Sequence, residues 1–323
     1  MYTTENHTPF ANAISLYPDE TGADAIFATI RATFILEDKW YLQKPQPNVE
    51  LADVYYGDPA STSLQYASET HCGKLSTDVA IVGSAVSAQP TEQMTVSAQV
   101  GKLHRSIRVW GDREIENGHQ TRPVPFHEMP VIYENAFGGG EKISQGRYEA
   151  YEANPVGKGF SVKLAARPRQ LPNLTCIDGN YEDRAPACFG FVAPHWSRRR
   201  SQAGTYDDKW AETRAPFLPQ DFDKRFFNSA HTDWIYSGFM KGDEYFEISG
   251  MNASGIVAGE LPAVGIIGSI ANGSEVSDLG FHLETVLFEP NERKVSLVWK
   301  TKYLLGELPG KHTKITLHQC DLY

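Results

Sequence analysis

The stretch A-I-F-A-T-I-R-A-T-F-I-L, residues 25–36, decides the fold class. Ile26, Ala28, Ile30, Ala32, Phe34 and Leu36 fall on one face of an extended chain, and Thr29, Arg31 and Thr33 on the other, because successive side chains of a strand point to opposite sides. The expectation is a half-buried strand, apolar toward a core and polar toward water. The same alternation returns in Met94, Val96, Ala98 and Val100, turns at Gly101-Lys102, and resumes in Ile107 and Val109 toward Trp110, which predicts a hairpin. Further strands are expected over 245–249, 263–270, 281–288 and 295–303, the last two joined across Pro290-Asn291-Glu292, with Ile315 and Leu317 closing the sheet. Helical spacing is nowhere sustained over three turns, so the chain is expected to be mainly β, with antiparallel, sandwich-like sheets and few short helices.

Between about 120 and 245 the periodicity fades and Pro, Gly and aromatic residues take over, as in Pro123 to Pro130 and Gly138-Gly139-Gly140. A loop of that length is uncommon in a compact domain unless it is packed. Trp196, Tyr206, Trp210, Phe217, Phe222, Phe226, Phe227 and Trp234 supply the apolar area to pack it, so Trp210, Phe222 and Phe226 are expected to be largely buried. Residues 1–323 are read as one unit with an N-terminal β portion (1–120), this irregular segment (121–245) and a C-terminal β portion (246–323).

The formal net charge of -10 disfavours nucleic acid as a partner, because binding the phosphate backbone draws on Lys and Arg. Arg198-Arg199-Arg200 interrupts the acidic background and reads as a solvated loop. Cys72, Cys176, Cys188 and Cys320 show neither a C-x-x-C nor a His at metal-ligand spacing, so reduced, buried thiols are expected, with no metal and no cofactor. No window approaches the roughly 20 apolar residues of a membrane span, and the start Met1-Tyr2-Thr3-Thr4-Glu5 has no signal-peptide character, so a cytoplasmic location is expected.

No hydrolase elbow, zinc-protease, Walker or dinucleotide motif is present, and Gly138-Gly139-Gly140 lacks the spacing of a phosphate loop. The carboxylates Asp207, Asp221, Asp223 and Asp243 could divide acid and base work if they met in a cleft, which would make the chain a carbohydrate-active or other hydrolase. Asp in such loops more often caps a turn or pairs with an Arg, and Arg214 and Arg225 are close in sequence. Asp207, Asp221 and Asp223 are therefore expected to be engaged by Arg side chains or backbone N–H groups.

Several segments together resemble the bacterial family defined by domain of unknown function 2169. They are D-V-A-I-V-G-S-A (78–85), V-W-G-D-R (109–113), P-F-H-E-M-P-V-I-Y-E-N-A-F-G-G (125–139), N-P-V-G-K-G-F (154–160), L-P-N-L (171–174), A-G-T-Y-D-D-K-W (203–210) and L-P-Q-D-F-D-K-R-F-F-N (218–228). The resemblance implies a non-enzymatic adaptor or chaperone that binds a type VI secretion effector with a PAAR-type domain and assists its loading onto the VgrG-type spike. Neither nucleic acid nor membrane is implied, and a structural component of the spike is a further alternative. Trp110, Arg113, Arg198 and Trp234 are candidate exposed partner anchors, since aromatic and Arg side chains dominate interface energetics. Asp112, Tyr133, Glu134, Asn154, Tyr206, Asp207, Trp210, Asp221, Asp223, Arg225, Phe226 and Asn228 lie in the matching segments and are expected to be structural.

Overall fold

The strand expected over 25–36 forms as Asp24–Leu36 and pairs antiparallel along its length with Lys294–Leu304, so residues far apart in sequence share the middle of one sheet. The computed structural model describes residues 2–162, 169–177, 186–272, 275–306 and 313–320. Around this pair the central sheet runs Ala11–Pro18, Asp24–Leu36, Lys294–Leu304, His282–Glu289, Asp78–Ile81, with Trp40–Leu42 also on Asp24–Leu36. Its pairs are antiparallel except that of Asp78–Ile81 with His282–Glu289.

The expected hairpin is Gln93–Val100 and Leu103–Trp110, closed by Gly101 and Lys102. Gly101 has φ +54°, the left-handed value that a two-residue hairpin turn matching the strand twist requires. This hairpin sits inside a second antiparallel sheet ordered Leu174–Cys176, Leu103–Trp110, Gln93–Val100, Tyr245–Ser249, Val257–Glu260. Ile315 and Leu317 fall in Thr313–Cys320, which does not close that sheet but is an inner strand of a third one ordered Tyr2–Asn6, Thr313–Cys320, Gly265–Asn272, Glu275–Gly280. The molecule is thus mainly β, with Ser197–Arg200 and Asp208–Thr213 as short α-helices. Phe246 of the second sheet packs on Trp40 and Phe288 of the first at 5.9 and 4.9 Å, and one cluster of buried apolar residues draws on all three sheets. The first two sheets each pair strands from 1–120 with strands from 246–323, so those portions interleave.

Asp24–Leu36 differs from its expected half-buried state. Arg31, Thr29 and Thr33 are buried as well, because residues 43–77 cross the polar face. That cover is held by ions and hydrogen bonds: Arg31 meets Glu69 at 3.1 Å and Glu50 at 3.2 Å, Thr33 meets Ser296 at 2.8 Å, and Lys300 donates to the carbonyls of Glu69 and His71. Next to it the Lys74 ammonium contacts Asp78 at 2.7 Å and the Thr285 hydroxyl at 2.7 Å. Asp78 also accepts from Asn228 Nδ2 and from the Ser229 backbone N–H, which ties the irregular segment to the sheet. A buried charge is tolerable only when paired and hydrogen-bonded, and here each partner supplies the other.

The aromatic residues of the irregular segment divide into two groups. Tyr133, Phe189, Phe191, Trp196 and Trp234 are buried, whereas Trp210, Phe222 and Phe226 are only half-buried, which corrects the expectation of deep burial. The reason is local: Asp208–Thr213 buries none of its residues, so Trp210 packs at the surface, edge-on to Tyr206 at 4.7 Å.

The two kinds of ion pair should separate in stability. Asp78→Ala leaves Lys74 buried without its counter-charge and should cost about 3–5 kcal/mol, whereas Asp223→Ala, which removes the surface pair with Arg225 and the cap on its N–H, should cost clearly less. Urea denaturation of both variants checks this, and equal losses would refute it.

His71 lies under Phe227, ring centroids 5.4 Å apart, and burial with Lys300 and Lys74 nearby holds it neutral, well below its ordinary titration range. It approaches Glu284 to 3.9 Å, but burial pushes that carboxyl up, toward its own uncharged form, so the contact is not an ion pair. An unfolded chain protonates an ordinary histidine as pH falls through about 6.5, whereas the native ring does not. The His71 contribution to stability is therefore present above that pH and lost below it, by about 1.4 kcal/mol per pH unit. The difference in urea midpoint between the wild-type chain and His71→Gln should shrink between about pH 7.5 and about pH 5.5; a difference that stays constant would show that the native ring takes the proton.

Candidate functional site

At its Trp110 end the hairpin leads into V-W-G-D-R, and here the chain builds an open pocket. Gly111 permits it, since a Cβ at that position would stand 1.8 Å from the Val124 carbonyl oxygen. Asp112, Arg113, Glu114, Thr121, Val124, Lys158, Gln170 and Leu171 line a cavity of about 230 Å³. Four of the eight lining residues, Asp112, Arg113, Lys158 and Leu171, come from the 109–113, 154–160 and 171–174 segments, far apart in sequence but among those that carry the family resemblance.

Asn173 joins them. Its side chain donates to the Trp110 carbonyl and to Asp112 Oδ1, both at 3.0 Å, and accepts from Lys158 Nζ at 2.7 Å. Backbone bonds from Trp110 N to Asn173 O, 2.8 Å, and from Leu171 N to Arg113 O, 2.9 Å, complete the frame. Lys158 is delivered by Lys158–Gly159, which pairs in parallel with Phe137–Gly138. The Gly138-Gly139-Gly140 run serves this approach: a Cβ on Gly138 or Gly139 would stand 2.1 Å from the Asn154 oxygen or 2.3 Å from the Gly157 oxygen. The same loop is pinned by Asn154, whose buried amide donates to the carbonyls of Tyr133 and Phe137.

Arg113 is the distinctive group of the pocket. It is 6% exposed, its guanidinium carbon lies 4.1 Å from the centre of the Trp110 ring, and Nη2 donates to the Pro172 carbonyl at 3.2 Å. Nε is buried without a hydrogen-bond partner, and among the described residues no carboxylate is within ion-pair distance. Burial accordingly pulls its pKa down to about 10. Lys158 is also shifted down by burial, with Asp112 opposing. The Trp110 indole, half-buried, donates to the Thr175 hydroxyl at 3.1 Å and offers its ring to Arg113. Arginine on an aromatic face is well placed for planar recognition, and its fork matches a carboxylate.

The other candidate anchors fall elsewhere. Trp234 is fully buried and edge-on to Phe189 at 5.3 Å, so it is a core residue and not an exposed anchor. Arg198 is half-buried and donates to the Ala230 carbonyl, while Arg199, buried, donates to the carbonyls of Phe226 and Val192. The triple arginine is therefore an internal clamp on one helical turn, and not a solvated loop; Arg200 alone reaches outward, to Glu152 at 3.1 Å. A sequence reading misses this because the charge run does not show which carbonyls lie within reach.

The remaining motif residues hold local structure. Glu134 accepts from the N–H and hydroxyl of Ser63, and the Tyr133 ring is edge-on to Trp196 at 5.1 Å. Asp207 caps Asp208–Thr213 through the Trp210 N–H, Asp221 accepts from the N–H and hydroxyl of Thr205, and Asp223 accepts from Arg225. Tyr206 is exposed and Phe226 lies 4.9 Å from the Arg199 guanidinium. Neither Asp243 nor these three carboxylates line the pocket or the small closed cavity beneath residues 66–69. Among the described residues no group of three His, Cys, Asp or Glu is placed to hold a metal, and no helix is long and apolar enough to cross a membrane.

No curated protein and no solved structure matches this chain. A family model does: the one described as "Uncharacterized protein conserved in bacteria (DUF2169)" matches residues 21–300, a span that holds the whole pocket and its frame. The chain belongs to that family.

Proposed function

We propose that this chain is a non-enzymatic, cytoplasmic adaptor that binds a type VI secretion effector bearing a PAAR-type domain and assists its loading onto the VgrG-type spike. The observation that carries the reading is the pocket, where the buried Arg113 stands on the half-buried Trp110 without a carboxylate partner. A core satisfies its cations with an anion, as Asp78 does for Lys74, or with two carbonyls, as Phe226 and Val192 do for Arg199, whereas Arg113 has one carbonyl alone. An arginine that lines a pocket while stacked on an aromatic ring instead resembles the anchors from which protein interfaces draw most of their binding energy. Three of the four carboxylates that would serve a hydrolase, Asp207, Asp221 and Asp223, are occupied in caps and turns, which supports binding over bond cleavage.

The test is capture of the effector encoded beside this chain, together with its spike protein, by the tagged full-length chain. The wild type should retain the effector. Trp110→Ala, once shown by melting to be folded, should lower affinity by about 30-fold, the equivalent of about 2 kcal/mol at a hot spot. A folded wild-type chain that retains neither effector nor spike protein overturns the adaptor reading.

A further inference from the structure

We propose that the pocket around Arg113 is a recognition site for one carboxylate, and that an Asp or Glu side chain of the bound partner supplies it. The source rests on the adaptor reading; the carboxylate chemistry does not. An arginine offers five N–H donors, and Arg113 uses one of them, to Pro172, although it is 6% exposed. Buried arginines are almost always paired, so Arg113, which lines an open cavity while its buried Nε has no hydrogen-bond partner and only Nη2 is bonded, is a binding group lacking its counterpart. Trp110 beneath and Pro172 beside it fix the plane of the fork before any ligand arrives, which reduces the entropy lost on binding.

Size and charge narrow the ligand. The cavity, at about 230 Å³, falls below the roughly 300–1,000 Å³ of ordinary small-molecule pockets, so it suits one side chain and not a nucleotide or a sugar chain. Lys158 adds a second cation, but Asp112 and Glu114 place two carboxylates on the same lining. A dianion such as phosphate would meet that repulsion twice over, whereas a single carboxylate meets it once. The Thr121 hydroxyl, which already accepts from the Glu114 N–H at 3.0 Å, keeps its own proton to donate.

The full-length chain, labelled with nitrogen-15, reports directly through the Arg113 Nε–H resonance, identified by its loss in Arg113→Lys. The probes are N-acetyl-glutamate α-amide for a side-chain carboxylate, N-acetyl-alanine for a chain terminus, inorganic phosphate, and sodium chloride as the ionic-strength control. The expected result is a saturable shift with N-acetyl-glutamate α-amide, weaker with the other two, absent with chloride, and strengthened several-fold in Glu114→Gln. If Arg113→Lys does not fold, the resonance is identified from the Thr121 and Gln170 amides that shift with it. A response no larger than that to chloride overturns the site, a stronger response to phosphate overturns the single-carboxylate assignment, and a stronger response to N-acetyl-alanine overturns the side-chain source. Because the probes are small molecules, a pocket that responds while the tagged chain captures no effector would refute the adaptor reading and leave the site standing; the converse would refute the site alone.

Discussion

The pairing of Asp24–Leu36 with Lys294–Leu304 is the constraint on which the rest of the structure depends. It brings two strands from opposite ends of the chain into the middle of one sheet, and a strand in that position loses both faces to the interior. Arg31, Thr29, Thr33, Ser296 and Lys300 would not choose such a place for their own sake. They are tolerable there because residues 43–77 fold across them with Glu50, Glu69 and a run of backbone carbonyls in register with each cation. Replacing the network by apolar side chains would be compatible with stability in principle. In the observed placement of the cover, Arg31, Lys74 and Lys300 are all satisfied together.

That frame also explains why one assembly of charges is a core and another a site. Around Lys74 the partners converge from the sheet and from Asn228 and Ser229 until the ammonium and the carboxylate of Asp78 are both satisfied and sealed. Around Arg113 the same ingredients stop one group short. The hairpin, the Lys158 loop and the Asn173 segment are bonded to one another, with Asn173 serving Trp110, Asp112 and Lys158 at once, but among the described residues no carboxylate pairs with the guanidinium. A pocket held by bonds among its own walls keeps its shape without the ligand.

The strands were legible because alternation is a local property: Gln93–Val100, Tyr245–Ser249 and His282–Glu289 all follow their patterns to within a residue or two. Burial of the polar face of Asp24–Leu36 was not legible, because it depends on a cover contributed by a different stretch. One signal was available, an Arg between threonines in an otherwise apolar run, and it is the residue most in need of a partner. At the pocket, Trp110 and Arg113 were identifiable by residue type, yet Trp234 and Arg198 share that type and lie inside. Lys158 and Asn173, which organise the site, stood in quoted segments without any feature of composition to single them out.

The arginines show why residue type misleads in a segment such as 121–245. A chain that forms few long ladders must satisfy its carbonyls in another way. Here Arg199 serves Phe226 and Val192, Arg198 serves Ala230, and Arg214 serves Leu218, Glu20 and Thr21, while Asn228 and Asn154 do the same with their amides. Each is a long, planar donor set reaching across a turn, which is the work a neighbouring strand would do elsewhere. An excess of Arg and aromatic residues in an irregular segment is therefore first a consequence of how such a segment folds, and only secondarily a sign of a partner. What separates Arg113 from the clamps is its place: bonded to one carbonyl, that of Pro172, and with its buried Nε unbonded, it lines an open cavity.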